Sequence, residues 1–156
     1  MDNSIEPSKA NFEWQDLLRA GAIAFAISLL FPSVQGMGSA DSGSEALLIS
    51  LMALVGLLGP ETSVWFVIAG ATNILLITLP LLIIFKPKTV GISTLLLAAF
   101  CVFVTVSFLF SVGFNDLFVG YYIWLASALL TFAGTAFGYL AKRAVYNTPG
   151  KRRGHE

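Results

Sequence analysis

The chain has 156 residues and no net charge; 56% of its side chains are hydrophobic and only 12% are charged. Soluble domains carry roughly 25% charged residues, so a soluble fold of this composition would expose large apolar patches to water. The composition therefore excludes an ordinary soluble domain. It predicts one compact unit that has a lipid bilayer as its solvent.

The N-terminal part contains the first apolar stretch. Residues 1–16 mix acids and bases, and residues 17–32 are apolar except for Arg19. As a helix, 17–32 would span roughly 24 Å, somewhat less than the roughly 30 Å hydrocarbon core. Arg19 can extend its head group to the interface and Trp14 can lengthen the helix. Small residues at 38–40 are typical of a signal-peptide cleavage site, but the leader is not net positive, so we expect a retained anchor.

Four further segments follow a Gly- and Ser-rich loop, which we expect to be aqueous, at 33–45. Residues 46–59 are apolar all round but would span only about 21 Å. Three longer stretches without charge follow and are each roughly 35 Å long as helices, enough to cross with some tilt; they are 63–85, 91–113 and 118–140. The chain ends in a basic segment, 142–156.

The distribution of charge predicts the topology. If 17–32 and the three long stretches cross, all nine Lys and Arg residues fall on one side, which the positive-inside rule assigns to the cytoplasm. We therefore predict an all-α, four-helix transmembrane bundle in the cell (inner or plasma) membrane. Both termini, 1–16 and 142–156, are then cytoplasmic, and 46–59 is a re-entrant or interfacial helix. In the alternative, 46–59 is a short fifth crossing, and Lys9 and Arg19 lie outside.

The chain lacks the groups that membrane chemistry requires. The three long stretches contain no ionisable acid, base or histidine, Cys101 is the single cysteine, and His155 lies in the tail. Proton-coupled transport, haem ligation and zinc binding need such groups at membrane depth or in clusters. We therefore predict no catalytic residue, no cofactor and no metal site. The acids of the outer side are expected to be solvated or to cap helices, with a joint acidic site as the alternative; they are Asp41, Glu45, Glu61 and Asp116.

Small residues recur at spacings of three and four on one face of each of the last two stretches. Such a stripe is typical of close helix packing in lipid, where small side chains let two backbones approach. The stripe in 91–113 consists of Thr94, Ala98, Cys101 and Thr105, and the stripe in the last stretch consists of Ser127, Thr131, Gly134, Gly138 and Ala141. We expect the two stripes to face each other or a partner helix. The alternative is that their hydroxyl groups line a pore.

Asn73 and Pro80 stand out within 63–85. The Asn73 amide should find a hydrogen-bond partner at membrane depth, and Pro80 removes a backbone hydrogen bond and should bend the helix. The alternative interpretation is that the two residues form a polar binding notch.

These features together predict a small polytopic membrane protein that is not an enzyme and acts through intramembrane helix contacts. It would be an accessory or structural subunit of a membrane complex, or an inhibitor or immunity protein of a membrane-acting partner. A small oligomeric channel or passive transporter is the alternative, and a membrane enzyme ranks third. The expected partners are the bilayer, a membrane protein or a second copy, and anionic lipid at the basic tail. The tail is too short to indicate nucleic acid.

Overall fold

The structure, a computed structural model, describes residues 13–35, 40–56, 64–112 and 117–147. Within these ranges the regular elements are five α-helices, two short strands and one 3-10 turn. In chain order the elements are α1 (Trp14–Ser28), β1 (Pro32–Gln35), β2 (Ala40–Ser42), α2 (Gly43–Leu54), α3 (Val64–Phe85), the 3-10 turn (Pro87–Thr89), α4 (Ile92–Val112) and α5 (Val119–Asn147).

The predicted helical fold is confirmed. Within the described ranges, three segments are long and apolar enough to cross a membrane: Val67–Phe85, Ile92–Phe110 and Val119–Ala144. Helices α3, α4 and α5 each begin one residue after the start of the corresponding predicted stretch. Helix α5 continues past residue 140 and carries the first two bases of the tail on helical backbone. Helices α1 and α2 are shorter, with 15 and 12 residues.

Helix α1 begins earlier than its apolar stretch because polar residues cap it. The backbone N–H of Glu13 donates to Asp16 Oδ2 at 3.2 Å, which satisfies one free group at the helix start. Asp16 also pairs with Arg19 at 2.9 Å, and both side chains are exposed. At the other end, the Ser28 hydroxyl donates to the Phe25 carbonyl at 2.6 Å, and the helix stops there.

The segment 33–45, predicted as an unstructured aqueous loop, contains a small antiparallel sheet. Strand β1 pairs with β2, with Pro32 opposite Ser42 and Gln35 opposite Ala40. A register shift between Pro32 and Val34 interrupts the pairing. The prediction of a loop missed this pairing because Gly and Ser residues carry no alternating apolar pattern.

Contacts to three helices hold the base of this strand pair. The Gly43 N–H donates to the Phe31 carbonyl at 2.8 Å, and the Phe118 N–H donates to the Ser33 carbonyl at 3.1 Å. Gly120 in the first turn of α5 lies so close that a Cβ there would be 2.7 Å from the Phe31 carbonyl oxygen. The strand pair therefore joins the end of α1, the start of α2 and the start of α5.

Four helices share the buried interior, and α2 lies beside α3. One cluster of buried residues draws on α1, α3, the turn before α4 and α4 itself, and consists of Leu18, Leu79, Ile83, Val90 and Ala98. A second cluster takes one residue from each of α1, α3, α4 and α5, and consists of Phe25, Leu76, Cys101 and Ala128. The described part of the chain is thus a bundle built on α1, α3, α4 and α5.

Candidate functional site

The small-residue stripe of α5 packs against α1. A Cβ placed on Gly134 would lie 2.9 Å from Leu18 Cγ and 3.1 Å from the Trp14 carbonyl oxygen. A Cβ on Gly138 would lie 2.9 Å from the indole ring of Trp14. At such distances one of the two groups must shift, so a side chain at 134 or 138 would displace Leu18 or Trp14 and widen the contact between the two helices. We call this contact the α1–α5 seam.

The seam is equally tight on the α1 side. A Cβ on Gly21 would lie 2.8 Å from Thr131 Oγ1 and 3.2 Å from the Ser127 carbonyl oxygen. Ser127 and Thr131 are fully or almost fully buried. Their hydroxyls have no hydrogen-bond partner among the described residues, and Thr131 Oγ1 faces the backbone of Gly21, where weak Cα–H···O contacts are usual between closely packed helices.

The two stripes, expected to face each other or a partner helix, contact different neighbours. The α5 stripe faces α1, and the α4 stripe faces α3 and a different side of α5. Helix α5 has two adjacent buried faces, one with Gly134 and Gly138 and the other with Tyr121 and Ala128. Ala141, the last member of the predicted α5 stripe, is exposed.

The α4 stripe is buried throughout, but its contacts are made by side chains. Ala98 packs with Leu79 and Ile83 of α3. Cys101 packs with Leu76 of α3 and Ala128 of α5. The chain offers no glycine in this stripe, so the backbones meet through larger side chains here.

Hydroxyl groups on these faces are mostly bonded to their own helix. Thr105 donates to the Cys101 carbonyl at 2.7 Å, Thr135 to the Thr131 carbonyl at 2.8 Å, and Thr94 to the Gly91 carbonyl at 2.9 Å. Thr72 on α3 makes the same type of bond to Ile68. These bonds satisfy the hydroxyl protons within each helix.

Tyr121 adds a polar tie between α4 and α5. Its phenol O–H donates to the backbone carbonyl of Thr105, and the side chain is buried. The ring also stacks on Phe108 with centroids 6.1 Å apart. The spacing of residues in the chain gave no signal for this bond between helices.

Asn73 meets α2, and the sequence did not identify its partner. Its Nδ2 donates to Ser50 Oγ at 3.1 Å, and the Ser50 hydroxyl donates to the Leu47 carbonyl at 2.8 Å. Gly70, one turn earlier, is required at this contact because a Cβ there would overlap the Ser50 carbonyl oxygen. Pro80 is buried within a helix that runs without interruption from Val64 to Phe85. The Asn73 amide is therefore engaged in packing α2 on α3.

Of the four outer acids, the structure describes the side chain of Glu45. Its carboxylate accepts the Ser42 backbone N–H at 2.8 Å, while the Glu45 N–H donates to Ser42 Oγ at 3.3 Å, a reciprocal cap at the start of α2. The backbone N–H and then the hydroxyl of Ser42 lower the pKa of Glu45. The side chains of Asp41, Glu61 and Asp116 lie outside the described residues. In the part that is described, no group of three or more His, Cys, Asp or Glu side chains could hold a metal ion.

The opposite end of the bundle is basic. Lys142 Nζ donates to the backbone carbonyls of Lys88 and Val90, at 2.9 and 2.8 Å, and so ties α5 to the turn between α3 and α4. Arg143 follows on the exposed surface of α5. No family model matches this chain, and neither a curated protein nor a solved structure matches it.

Proposed function

We propose that this chain is a multi-pass protein of the cell (inner or plasma) membrane in which α1, α3, α4 and α5 cross the bilayer. The seam supports α1 as the fourth crossing. Trp14 at the start of α1 packs on Gly138, and Phe31 just beyond its end lies against Gly120. These two glycines lie roughly 27 Å apart along α5 at 1.5 Å per residue, close to the roughly 30 Å of a hydrocarbon core.

Helix α2 stays in the outer half of the bilayer in this proposal. Its 12 residues span roughly 18 Å, too little for a crossing. The contacts of Ser50 lie at Gly70 and Asn73, in the first half of α3. These contacts support the re-entrant or interfacial interpretation over a fifth crossing.

The orientation follows from the basic end. Lys142 bonds to the turn that contains Lys88, and Trp14, near Arg19, packs on α5 one turn before Lys142. Bases from the start of α1, the turn between α3 and α4, and the end of α5 thus lie at one end of the bundle. The positive-inside rule then assigns that end, and with it both termini, to the cytoplasm.

Single cysteines at Ser4 and Ser39, made in a Cys101→Ala background, test this topology. An impermeant maleimide added to intact cells should label position 39 and leave position 4 unlabelled until the cells are opened. Labelling of position 4 with none at 39 would contradict the proposal and establish five crossings.

We propose that the protein acts by lateral helix contacts, as an accessory or structural subunit of a membrane complex or as an inhibitor or immunity protein of a membrane-acting partner. The observation that carries this proposal is the largely apolar character of the outward helix faces. Ile23 on α1, Leu81 on α3, Phe103 on α4 and Phe137 on α5 are all large and exposed. Most of the threonine hydroxyls of these helices are bonded to their own backbone, including that of Thr78 on the exposed side of α3. The described surface available for contacts within the bilayer is therefore mostly apolar.

Purification in mild detergent, with a photo-crosslinking side chain at position 103, tests this function. Phe103 is 68% exposed, whereas Ala98 on the same helix is fully buried and gives a matched control position. We expect a stoichiometric protein partner that crosslinks from 103 and not from 98. A pure homo-oligomer that conducts ions would contradict the proposal and favour the small channel.

The same proposal includes no catalysis and no proton-coupled transport. Reconstituted protein should show no pH-dependent flux between about pH 5 and 8, where histidine normally titrates. Partner binding should survive Asp41→Asn, Glu45→Gln, Glu61→Gln and Asp116→Asn made one at a time. Loss of function in one of these four variants, with the fold intact, would indicate an acidic site on the outer side.

A further inference from the structure

A cleft opens at the basic end of the bundle, between the start of α4 and the last turns of α5. We call it the basic cleft; it is lined by Val90, Gly91, Tyr139, Lys142 and Arg143 and has a volume of about 430 Å³. This volume lies within the roughly 300–1,000 Å³ of clefts that hold small ligands. We propose that the basic cleft binds the phosphate group of an anionic lipid.

Among the described residues, no acid forms an ion pair with the bases of the cleft. Across residues 13–35, 40–56, 64–112 and 117–147, the one ion pair joins Arg19 to Asp16. Lys142 and Arg143 therefore present two positive charges in the cleft, and Lys86 and Lys88 add two more in the adjoining turn. A site with this charge attracts a phosphate and repels a cation.

The N–H donors of Lys142 and Arg143 are placed where a phosphate group could accept hydrogen bonds from them. Two of the three protons of the Lys142 ammonium go to the carbonyls of Lys88 and Val90, which fixes the side chain and leaves the third proton free. Arg143 makes no hydrogen bond to another described residue. Its planar guanidinium can therefore bind two phosphate oxygens in a bidentate manner.

The depth of the cleft favours a lipid over a soluble phosphate ester. The apolar part of α3 ends at Phe85 and that of α4 begins at Ile92, so the turn between them lies at the level of the lipid head groups. Val90 is buried at the edge of the interior, and Tyr139 packs against the same apolar cluster. An apolar wall beside two cations suits the junction between a lipid phosphate and its glycerol. This inference rests on the proposed membrane insertion.

Native mass spectrometry of the full chain in detergent micelles tests the proposal. Dioleoyl phosphatidylglycerol and dioleoyl phosphatidylcholine, which have the same acyl chains, are titrated separately. We expect preferential binding of the anionic lipid. Arg143→Gln should weaken that binding about tenfold or more, as expected for loss of a charge-assisted pair. Arg152→Gln removes the same charge from the tail, outside the described residues, and should change the binding less than about twofold if the cleft is the site.

Three results would overturn the proposal. Equal losses in Arg143→Gln and Arg152→Gln would mean diffuse attraction to the whole basic end. Equal binding of the two lipids would remove the phosphate preference. Displacement of the lipid by an equal concentration of glycerol 3-phosphate would identify a soluble ester as the occupant. This competition measurement uses the unmodified protein. Failure of membrane insertion would appear separately, as release of the chain from membranes by alkaline carbonate before any lipid is titrated.

Discussion

The stripes on α4 and α5 have the same spacing of small residues and are both buried, yet they pack differently. On α5, Gly134 and Gly138 leave no room for a methyl group against α1: Gly134 faces Leu18 and the Trp14 carbonyl oxygen, and Gly138 faces the Trp14 ring. On α4, Ala98 and Cys101 meet leucine and isoleucine side chains of α3. Spacing therefore predicts which face of a helix is buried, whereas the identity of the residues determines how closely the neighbour approaches.

The largest expected effect is on the α5 side of the seam. Gly134→Leu would place a branched side chain where Leu18 Cγ already lies 2.9 Å from a Cβ position. Because two backbones would have to separate, we expect a loss of about 3 kcal/mol or more in unfolding free energy, measured as a drop in Tm in detergent. Leu130→Ala, off the stripe, should cost less. Wild-type Tm in Gly134→Leu would show that the seam does not form.

A smaller change tests the α1 side of the seam. Gly21→Ala adds one methyl group against Thr131 and the Ser127 carbonyl, and backbone atoms cannot rotate away. We expect a loss of about 1–3 kcal/mol. Gly91→Ala is the matched control, because the nearest atom to its Cβ is 3.8 Å away. Equal stability of the two variants would remove α1 as the neighbour of α5.

Loss of one hydroxyl at the contact between α4 and α5 should destabilise the protein less than the two glycine substitutions do. Tyr121→Phe removes the bond from the phenol to the Thr105 carbonyl while the ring stays in place. A net cost of about 0.5–1.5 kcal/mol is expected for such a bond. Tyr122→Phe provides the control, since Tyr122 is exposed. A larger loss in Tyr122→Phe than in Tyr121→Phe would contradict the assignment of this tie.

The smallest expected effect concerns pH at α2, far from both stripes. The Ser42 amide lowers the pKa of Glu45 below its ordinary value of 4.5. The stabilisation is therefore complete above pH 4.5 and is lost as the pH falls through the lower pKa of the folded state. Amide exchange in the first turn of α2, corrected for its intrinsic pH dependence, should accelerate in that acid range. Glu45→Gln should show no such step, and a step that remains in this variant would assign it to another group.

The sequence predicted the three long helices well because their apolar stretches are uninterrupted and flanked by charges or turn residues. It also identified buried members of each stripe, from Thr94 to Gly138. It could not predict which neighbour each stripe meets, because periodicity defines a face and not a direction in space. The sequence analysis did not identify Gly21 because α1 contains no second glycine that would form a motif with it. Ala24 and Ser28 are small residues on the same face of the helix. The bond from Lys142 to the α3–α4 turn joins residues far apart in the chain and left no local signal.

The seam also has a consequence for biosynthesis. Helix α1 leaves the ribosome first, and its closest neighbour, α5, is made last. If α1 crosses the bilayer as proposed, it must remain there during synthesis without its partner, with Gly21 facing lipid. In the two-stage view, helices insert individually and associate afterwards, so formation of the seam would be the final step of assembly. A ribosome that stops before residue 119 releases a chain that contains α1, α3 and α4 but lacks α5, so the seam cannot form.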